Sequence, residues 1–342
     1  MRVAMYYANN DVRIEDRPRP AIGPNEILVR IEASGICGSD VMEWYRANRV
    51  PLVLGHEVAG TVVEAGKGVR CYKTGDRVAV AHHVPCGKCR FCKDGHESVC
   101  DMLRTTNFDP GGFSEFVRVP EINVEKGVFL LPSGVSFEEA TFIEPLACVL
   151  RGQRLAGFKK GKTVLVVGSG ISGLLHIKVA KASGAKKIFA TDIADFKLNA
   201  ARKAGADGVF NAREYSPDAL RKLNEGYLAD YVVMCAASDS AFEQALRSVE
   251  RGGTALIFSA AAKDAKLPVP TNDIFWRSEV TITSSYAGSP EDHADALEKI
   301  RSRKIDVYDM ITHRLPLKDT GVGFKLVAEA SESIKVIIEP QK

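Results

Sequence analysis

Thr163-Val164-Leu165-Val166-Val167 runs directly into Gly168-Ser169-Gly170-Ile171-Ser172-Gly173, and this stretch decides the fold. Its first half is β-branched apart from one leucine, the composition of a short buried strand. Its second half spells G-x-G-x-x-G at the start of a mostly apolar helix, Ile171 to Ala182, stopped by Gly184. Gly168 permits a tight turn, Gly170 lets the backbone approach a pyrophosphate, and Gly173 lets helix and strand pack closely. The helix N-terminus at Ile171 and Ser172 presents free N–H groups to phosphate oxygens. Lys187 to Thr191 is expected as a second strand, and it delivers Asp192 nineteen residues after Gly173. A carboxylate there accepts from ribose hydroxyls. It also repels a 2′-phosphate, no arginine follows at once, and the nearest cation, Lys197, is five residues on. NAD is therefore expected over NADP.

Outward from this stretch, strands and helices keep alternating. Ala194 to Ala204 is a helix stopped by Gly205, Tyr231 to Ala236 and Thr254 to Ser259 are buried strands, and Ala241 to Glu250 is a helix closed by Gly252-Gly253. Such alternation implies a parallel sheet with helices on both faces. Before it, residues 1 to about 130 are β-rich, with short alternating runs at Ile27 to Ile31, Val58 to Val63 and Arg77 to Val80. Ser136-Phe137-Glu138-Glu139 is a capping box that predicts a helix running towards Arg151. After Ser285, Pro290 to Arg303 predicts an amphipathic helix and Lys335 to Ile338 a last strand.

Cys86, Cys89, Cys92 and Cys100 lie within residues 84–102, among turn formers that build no core by themselves. The pattern is C-x2-C-x2-C-x7-C. A structural zinc takes four such thiolates with no open position, and a disulfide pair is the weaker alternative in a reducing compartment. Cys71, Cys148 and Cys235 are expected to be structural.

The chain has 342 residues, enough for two domains, with 45% hydrophobic and 26% charged residues. Its 46 basic and 43 acidic residues are well mixed and give a net charge of +3. That balance supports neither nucleic acid nor an anionic membrane as partner. No apolar run approaches the roughly 20 residues of a membrane span. The first residues, MRVAMYYANNDVRIED, lack the apolar core of a signal peptide. A cytoplasmic location is expected.

Gly35-Ile36-Cys37-Gly38-Ser39-Asp40, Gly55-His56-Glu57, Gly75 to Val78, Gly111 to Val117 and Glu144-Pro145-Leu146 complete the pattern. With the cysteine lobe and the glycine motif, these segments, in this order along essentially the whole chain, resemble the zinc-dependent medium-chain dehydrogenase superfamily, in its sorbitol and threonine dehydrogenase branch. The resemblance implies an α/β protein: a GroES-like β-rich catalytic domain, 1–147 with return segment 286–342, and an inserted Rossmann doubly wound parallel sheet, 148–285. It implies two zinc ions per chain. Cys37 and His56 hold the catalytic one, with Glu57 or Glu144 as third ligand. It implies hydride transfer from a secondary alcohol, polyol or cyclitol to NAD, with Ser39 as the first proton carrier, and a homodimer or homotetramer. Where many relatives carry the next relay histidine, this chain has Met42. Glu43 and Ser284-Ser285-Tyr286 also depart from the sorbitol-type pocket. Trp44, Phe113 and Tyr286 are then expected as pocket residues. Glu43 is either a polar selector or a solvated carboxylate. Arg46, Arg49 and Arg104 are either scattered surface charges or a phosphate site. A zinc-free quinone or enoyl reductase, and a catalytically silent cofactor-binding protein, are the alternatives that the intact ligand set opposes.

Overall fold

The computed structural model describes residues 1–266, 269–330 and 332–342. The chain divides into two units, Met1–Ala147 with Ala287–Lys342, and Cys148–Tyr286.

In the second unit six parallel strands lie in the order Gly208–Asn211, Lys187–Asp192, Thr163–Val167, Ala229–Met234, Val249–Ile257 and Thr281–Ser284. Thr163–Val167 is buried throughout, as its continuous apolar character requires of a central strand. The strand order reverses beside it, so the crevice at its carboxyl end is the place where such sheets take ligands. The core joins Leu165, Val167, Phe189, Val232 and Met234 to Phe242 and Leu246 from the helix Asp239–Arg247. That helix ends three residues before the expected Glu250, because Val249 already belongs to the next strand. Gly252-Gly253 form a bulge inside that strand and do not close a helix.

In the first unit the strands run Ile311–Pro316, Lys335–Glu339, Ile27–Gly35, Glu57–Ala65, Arg77–Ala81 and Val128–Leu130, with Phe116–Val119 also paired to Ile27–Gly35. Lys335–Glu339 enters antiparallel to Ile27–Gly35, with Ile337 opposite Gly35, and Gly35 in turn faces Glu57. The two ends of the chain thus meet in one sheet. A smaller sheet orders Asp11–Asp16, Arg2–Ala8 and Leu52–Val53.

The capping box at Ser136 forms: Ser136 Oγ accepts from Glu139 N at 3.1 Å, and Glu139 Oε2 accepts from Ser136 N at 2.9 Å. The helix it starts does not reach Arg151. It stops at Ala140, and a second helix spans Ile143–Leu155. Pro145 has no N–H to return to the carbonyl of Thr141, so the ladder breaks there and restarts with the proline in the first turn.

Candidate metal centres and nucleotide site

Cys37 ends the run after the strand Ile27–Gly35 and caps the short turn Gly38–Val41. His56 and Glu57 sit at the start of the neighbouring strand Glu57–Ala65. Ligand atoms of Cys37, His56 and Glu57 lie within 4.8 Å of one another. A thiolate, an imidazole and a carboxylate at that spacing fit a catalytic zinc, which takes three protein ligands and keeps one position for substrate. Glu144 stands outside this group and lines a small cavity together with Glu57.

Three titratable residues around the centre escaped the sequence reading. Asp40 is fully buried, and its Oδ2 accepts from Cys37 N at 3.0 Å. Its Oδ1 lies 3.3 Å from His56 Nδ1 and 3.6 Å from an Arg46 nitrogen. An acid on Nδ1 fixes the ring so that Nε2 faces the metal. Burial works against a charge on Asp40, but the opposing charge of His56, hydrogen bonds and Arg46 outweigh it and hold the carboxyl below its usual range. Burial likewise opposes a proton on His56, and the Asp40 charge more than compensates, so its pKa is pushed well up. The only hint in the sequence was that Asp40 stands three residues after Cys37, the spacing of a cap.

Lys335 is the second. Its ammonium pairs with Glu57 Oε2, and both side chains are almost fully buried, at 0% and 1% exposure. Nothing in Lys335-Val336-Ile337-Ile338 marks the lysine as internal, because its partner lies 278 residues away. Gly35 shows the tightness of the arrangement: a Cβ there would overlap both the Glu57 carboxylate and the Lys335 ammonium. The third is His82, whose ring centroid lies 4.8 Å from that of His56 and 3.8 Å from that of His83. Burial, then the neighbouring His56, drives the His82 pKa well down, and burial lowers His83 to about 4.

The loop residues resolve as follows. Ser39 is half-buried, and its carbonyl accepts from Arg46 Nε at 3.2 Å. Arg46 also lies over the Tyr45 ring at 4.7 Å, and Arg49 over the same ring at 5.4 Å. Arg46 is therefore part of the scaffold of the centre, and Arg104 lies apart, exposed on the helix Asp101–Thr105. Glu43 is exposed and accepts from Asn9 N at 3.0 Å, as a loop carboxylate does. Trp44 and Tyr286 are exposed. Phe113 is not a pocket wall: it is 1% exposed and packs edge-on against Phe324 in the core.

In the cysteine lobe all four sulfurs also lie within 4.8 Å. Cys86 Sγ is 3.9 Å and Cys89 Sγ 3.5 Å from Cys92 Sγ. A tetrahedron with Zn–S arms of about 2.3 Å has edges of about 3.8 Å, so the donors fit zinc. Lys88 N and Cys89 N donate to Cys86 Sγ at 3.4 and 3.3 Å. Those two donors lower the Cys86 thiol to about 6, while burial and its neighbour Cys89 push Cys92 up to about 12.

At the glycine motif Gly168 has φ 94°, which suits only glycine, and a Cβ there would meet Ala236 N at 2.9 Å. A Cβ on Gly173 would overlap the Gly168 carbonyl, whereas one on Gly170 would meet no protein atom within 4 Å. Gly170 thus leaves open space beside the helix Ile171–Ala182, where a pyrophosphate fits. Asp192 Oδ2 accepts from Ser169 N at 2.8 Å and Oδ1 from Ala194 N at 3.0 Å, placing the acid next to the loop. Lys197 is half-buried on the helix Asp195–Ala204. A cation unnoticed in the sequence, Arg213, donates to Ile193 O at 3.4 Å.

The comparisons with known proteins agree with this geometry. Residues 23–132 match the alcohol dehydrogenase GroES-like domain, and residues 172–302 match the zinc-binding dehydrogenase domain. The chain belongs to the zinc-dependent medium-chain dehydrogenases, in their sorbitol dehydrogenase-like branch. It is 30% identical to the sorbitol dehydrogenase of Bacillus subtilis, over 100% of this chain and 98% of that one. A zinc-binding dehydrogenase from Sinorhizobium meliloti, bound to NADP, superposes with a TM-score of 0.87 at 28% identity, over 99% of each chain. Galactitol-1-phosphate dehydrogenase from Escherichia coli does so at 0.87 and 29%, over 99% of this chain and 100% of that one. Among the described residues no helix is long and apolar enough to cross a membrane.

Proposed function

We propose that the chain oxidises a secondary alcohol of a polyol or cyclitol to the ketone, with NAD as hydride acceptor. The convergence of Cys37, His56 and Glu57, backed by Asp40, carries this assignment. A zinc ion held there would supply Lewis acidity toward an alcohol oxygen, and NAD held at the glycine motif would supply the hydride acceptor. The chain's own contribution is positional. Cys37 and Glu57 bring the negative charge that a divalent ion requires, and Asp40 fixes the His56 tautomer. Lys335 holds one oxygen of Glu57 and leaves the other for the metal side. Glu144 is the alternative acid on the shared cavity. We assign the first proton step to Ser39, which lies next to Cys37 and Asp40 in the chain; Met42 cannot pass the proton on, so the relay continues through a cofactor ribose hydroxyl, water or another group.

Asp192 supports NAD, while Arg213 on the adjoining backbone brings a positive charge that a 2′-phosphate would seek. The ratio of kcat/KM for NAD and NADP decides, and a preference for NADP would overturn the NAD assignment. Polyol chemistry rests on the sorbitol dehydrogenase relative. Arg46 is held by Asp40 and Ser39, which argues against a built phosphate site in this loop. The test is NAD reduction across secondary alcohols, polyols, cyclitols, amino alcohols and sugar phosphates, with a zinc-chelated control. Turnover with a polyol or cyclitol that the chelator abolishes is expected; turnover that survives complete zinc removal would overturn the assignment. We also infer a homodimer or a dimer of dimers, because Thr281–Ser284 ends its sheet as an edge strand, and we expect a cytoplasmic location. A monomeric mass in solution would refute the oligomer.

A further inference from the structure

One small cavity in the first unit is walled by Glu57, Glu144 and His293, with Val58, Ala79 and Phe129 on its apolar side. It has room for roughly one water molecule. His293 belongs to the helix Pro290–Arg301, whose start is locked by the capping box of Ser289 and Asp292. The His293 ring is 4% exposed and stacks on Phe129, with centroids 5.6 Å apart and planes 6° from parallel. Its Nδ1 lies 2.8 Å from the carbonyl oxygen of Ser289. A carbonyl only accepts, so Nδ1 carries the proton and Nε2 of the neutral ring keeps a lone pair. Burial also lowers the pKa of this ring. Among the described residues Nε2 has no hydrogen-bond partner, an unfavourable state for a buried acceptor.

The unpartnered His293 thus lines one space with two carboxylate side chains, Glu57 and Glu144. An imidazole lone pair and a carboxylate oxygen cannot bond to each other. A molecule with two donors satisfies both, and the space is the size of water.

We propose that His293 holds one internal water against the carboxylates of Glu57 and Glu144, and so acts as a positioning residue for the acidic side of the Cys37–His56–Glu57 centre. The water donates one O–H to Nε2 and the other to a carboxylate oxygen. Lys335 grips Glu57 Oε2 and the water steadies the acids from the cavity, which restricts how the carboxylates turn. The inference rests on the assignment of that centre to zinc.

The experiment compares the zinc-loaded wild type with His293→Phe and His293→Gln. Phenylalanine keeps the ring on Phe129 and removes the acceptor. Glutamine loses the ring and returns an acceptor, its amide oxygen. Zinc release to a chromogenic chelator is followed, with Cys100→Ser identifying the phase that belongs to the lobe. His293→Phe is expected to release the other zinc about tenfold faster than wild type, and His293→Gln to restore most of the loss. The reverse order, with Phe at the wild-type rate and Gln faster, would assign His293 to packing alone and overturn the proposal. Crystals of the wild-type protein, with and without zinc, supply an arm that needs neither variant nor substrate. A water bonded to Nε2 and to a carboxylate is expected, and a dry cavity overturns the proposal even if His293→Phe does not fold. A chain that binds only the lobe zinc would defeat the assignment of the centre, and a silent substrate panel the proposed activity; the water in the metal-free crystal is read separately from both.

Discussion

The cysteine lobe and the Cys37–His56–Glu57 centre, the two candidate zinc sites, hold their donor groups by opposite means. In the lobe, Cys86 and Cys100 are only 14 residues apart, and three of the four sulfurs come from partly exposed residues. The surrounding loop supplies backbone N–H groups to the sulfurs and little else. At the other centre the ligands come from two neighbouring strand ends, and what holds them is a ring of buried charge: Asp40 behind His56, Arg46 behind Asp40, Lys335 behind Glu57. One site is a short loop that brings four sulfur donors together. The other is a finished sheet that has already balanced its charges. Spacing along a chain is enough for the first, whereas the second requires the whole unit to fold.

This contrast breaks most sharply at Lys335. Replacing it by methionine leaves Glu57 buried without its cation, and about 3–5 kcal/mol of unfolding free energy is expected to be lost in urea titrations. Adding Glu57→Gln to Lys335→Met should return part of that loss, since no uncompensated charge then remains. Equal stability of wild type and Lys335→Met would mean that the centre, like the lobe, stands without its charged support. In the lobe, Cys100→Ser is expected to lower the zinc content from about two to about one per chain and to reduce the melting temperature, with the second centre still loaded. Full zinc content in that variant would remove Cys100 from the ligand set. Asp40→Asn keeps the shape and removes the charge facing His56. Metal affinity at the centre is expected to fall about 10–100-fold, with the lobe unaffected, in competition against a chelator of known affinity. The smallest effect is local. In the metal-free chain, Cys86 is expected to be alkylated before Cys92 at pH 7, because the thiolate reacts and the Cys86 thiol ionises near about 6, Cys92 only near about 12. The Cys86 rate should climb as pH rises through about 6 and then level off, as mass spectrometry of the labelled peptides would show; simultaneous labelling of the two would contradict the assigned donors.

The same contrast explains what was legible in the sequence. The glycine motif, Asp192 and the four cysteines are local patterns whose chemistry is written in their spacing. The GroES-like half rested on resemblance, because its sheet joins Ile27–Gly35 to Lys335–Glu339 and no periodicity links strands so far apart. Asp40 was in plain view but lacked a visible partner, since its pairing with His56 depends on a turn and a strand end meeting. Lys335 and His293 gave no signal: each is a polar residue on an otherwise ordinary strand or helix, and burial was decided by what folded against it. The helix from Ser136 failed for a local reason that was readable, Pro145, whose effect on the Thr141 carbonyl was overlooked. Phe113 was misplaced because a large apolar residue serves a core as readily as a pocket, and only Phe324 across from it decides.

The pairing of Glu57 with Lys335 also imposes an order of events during synthesis. The carboxylate leaves the ribosome 278 residues before the ammonium that matches it, a delay of roughly 15–55 s at ordinary elongation rates. Throughout that interval Ile27–Gly35 lacks its neighbour Lys335–Glu339, and Glu57 lacks the cation that pairs with it in the folded chain. The sheet of the first unit is thus begun early and closed late, at Ser34 and Gly35, where Ile337 and Ile338 arrive last.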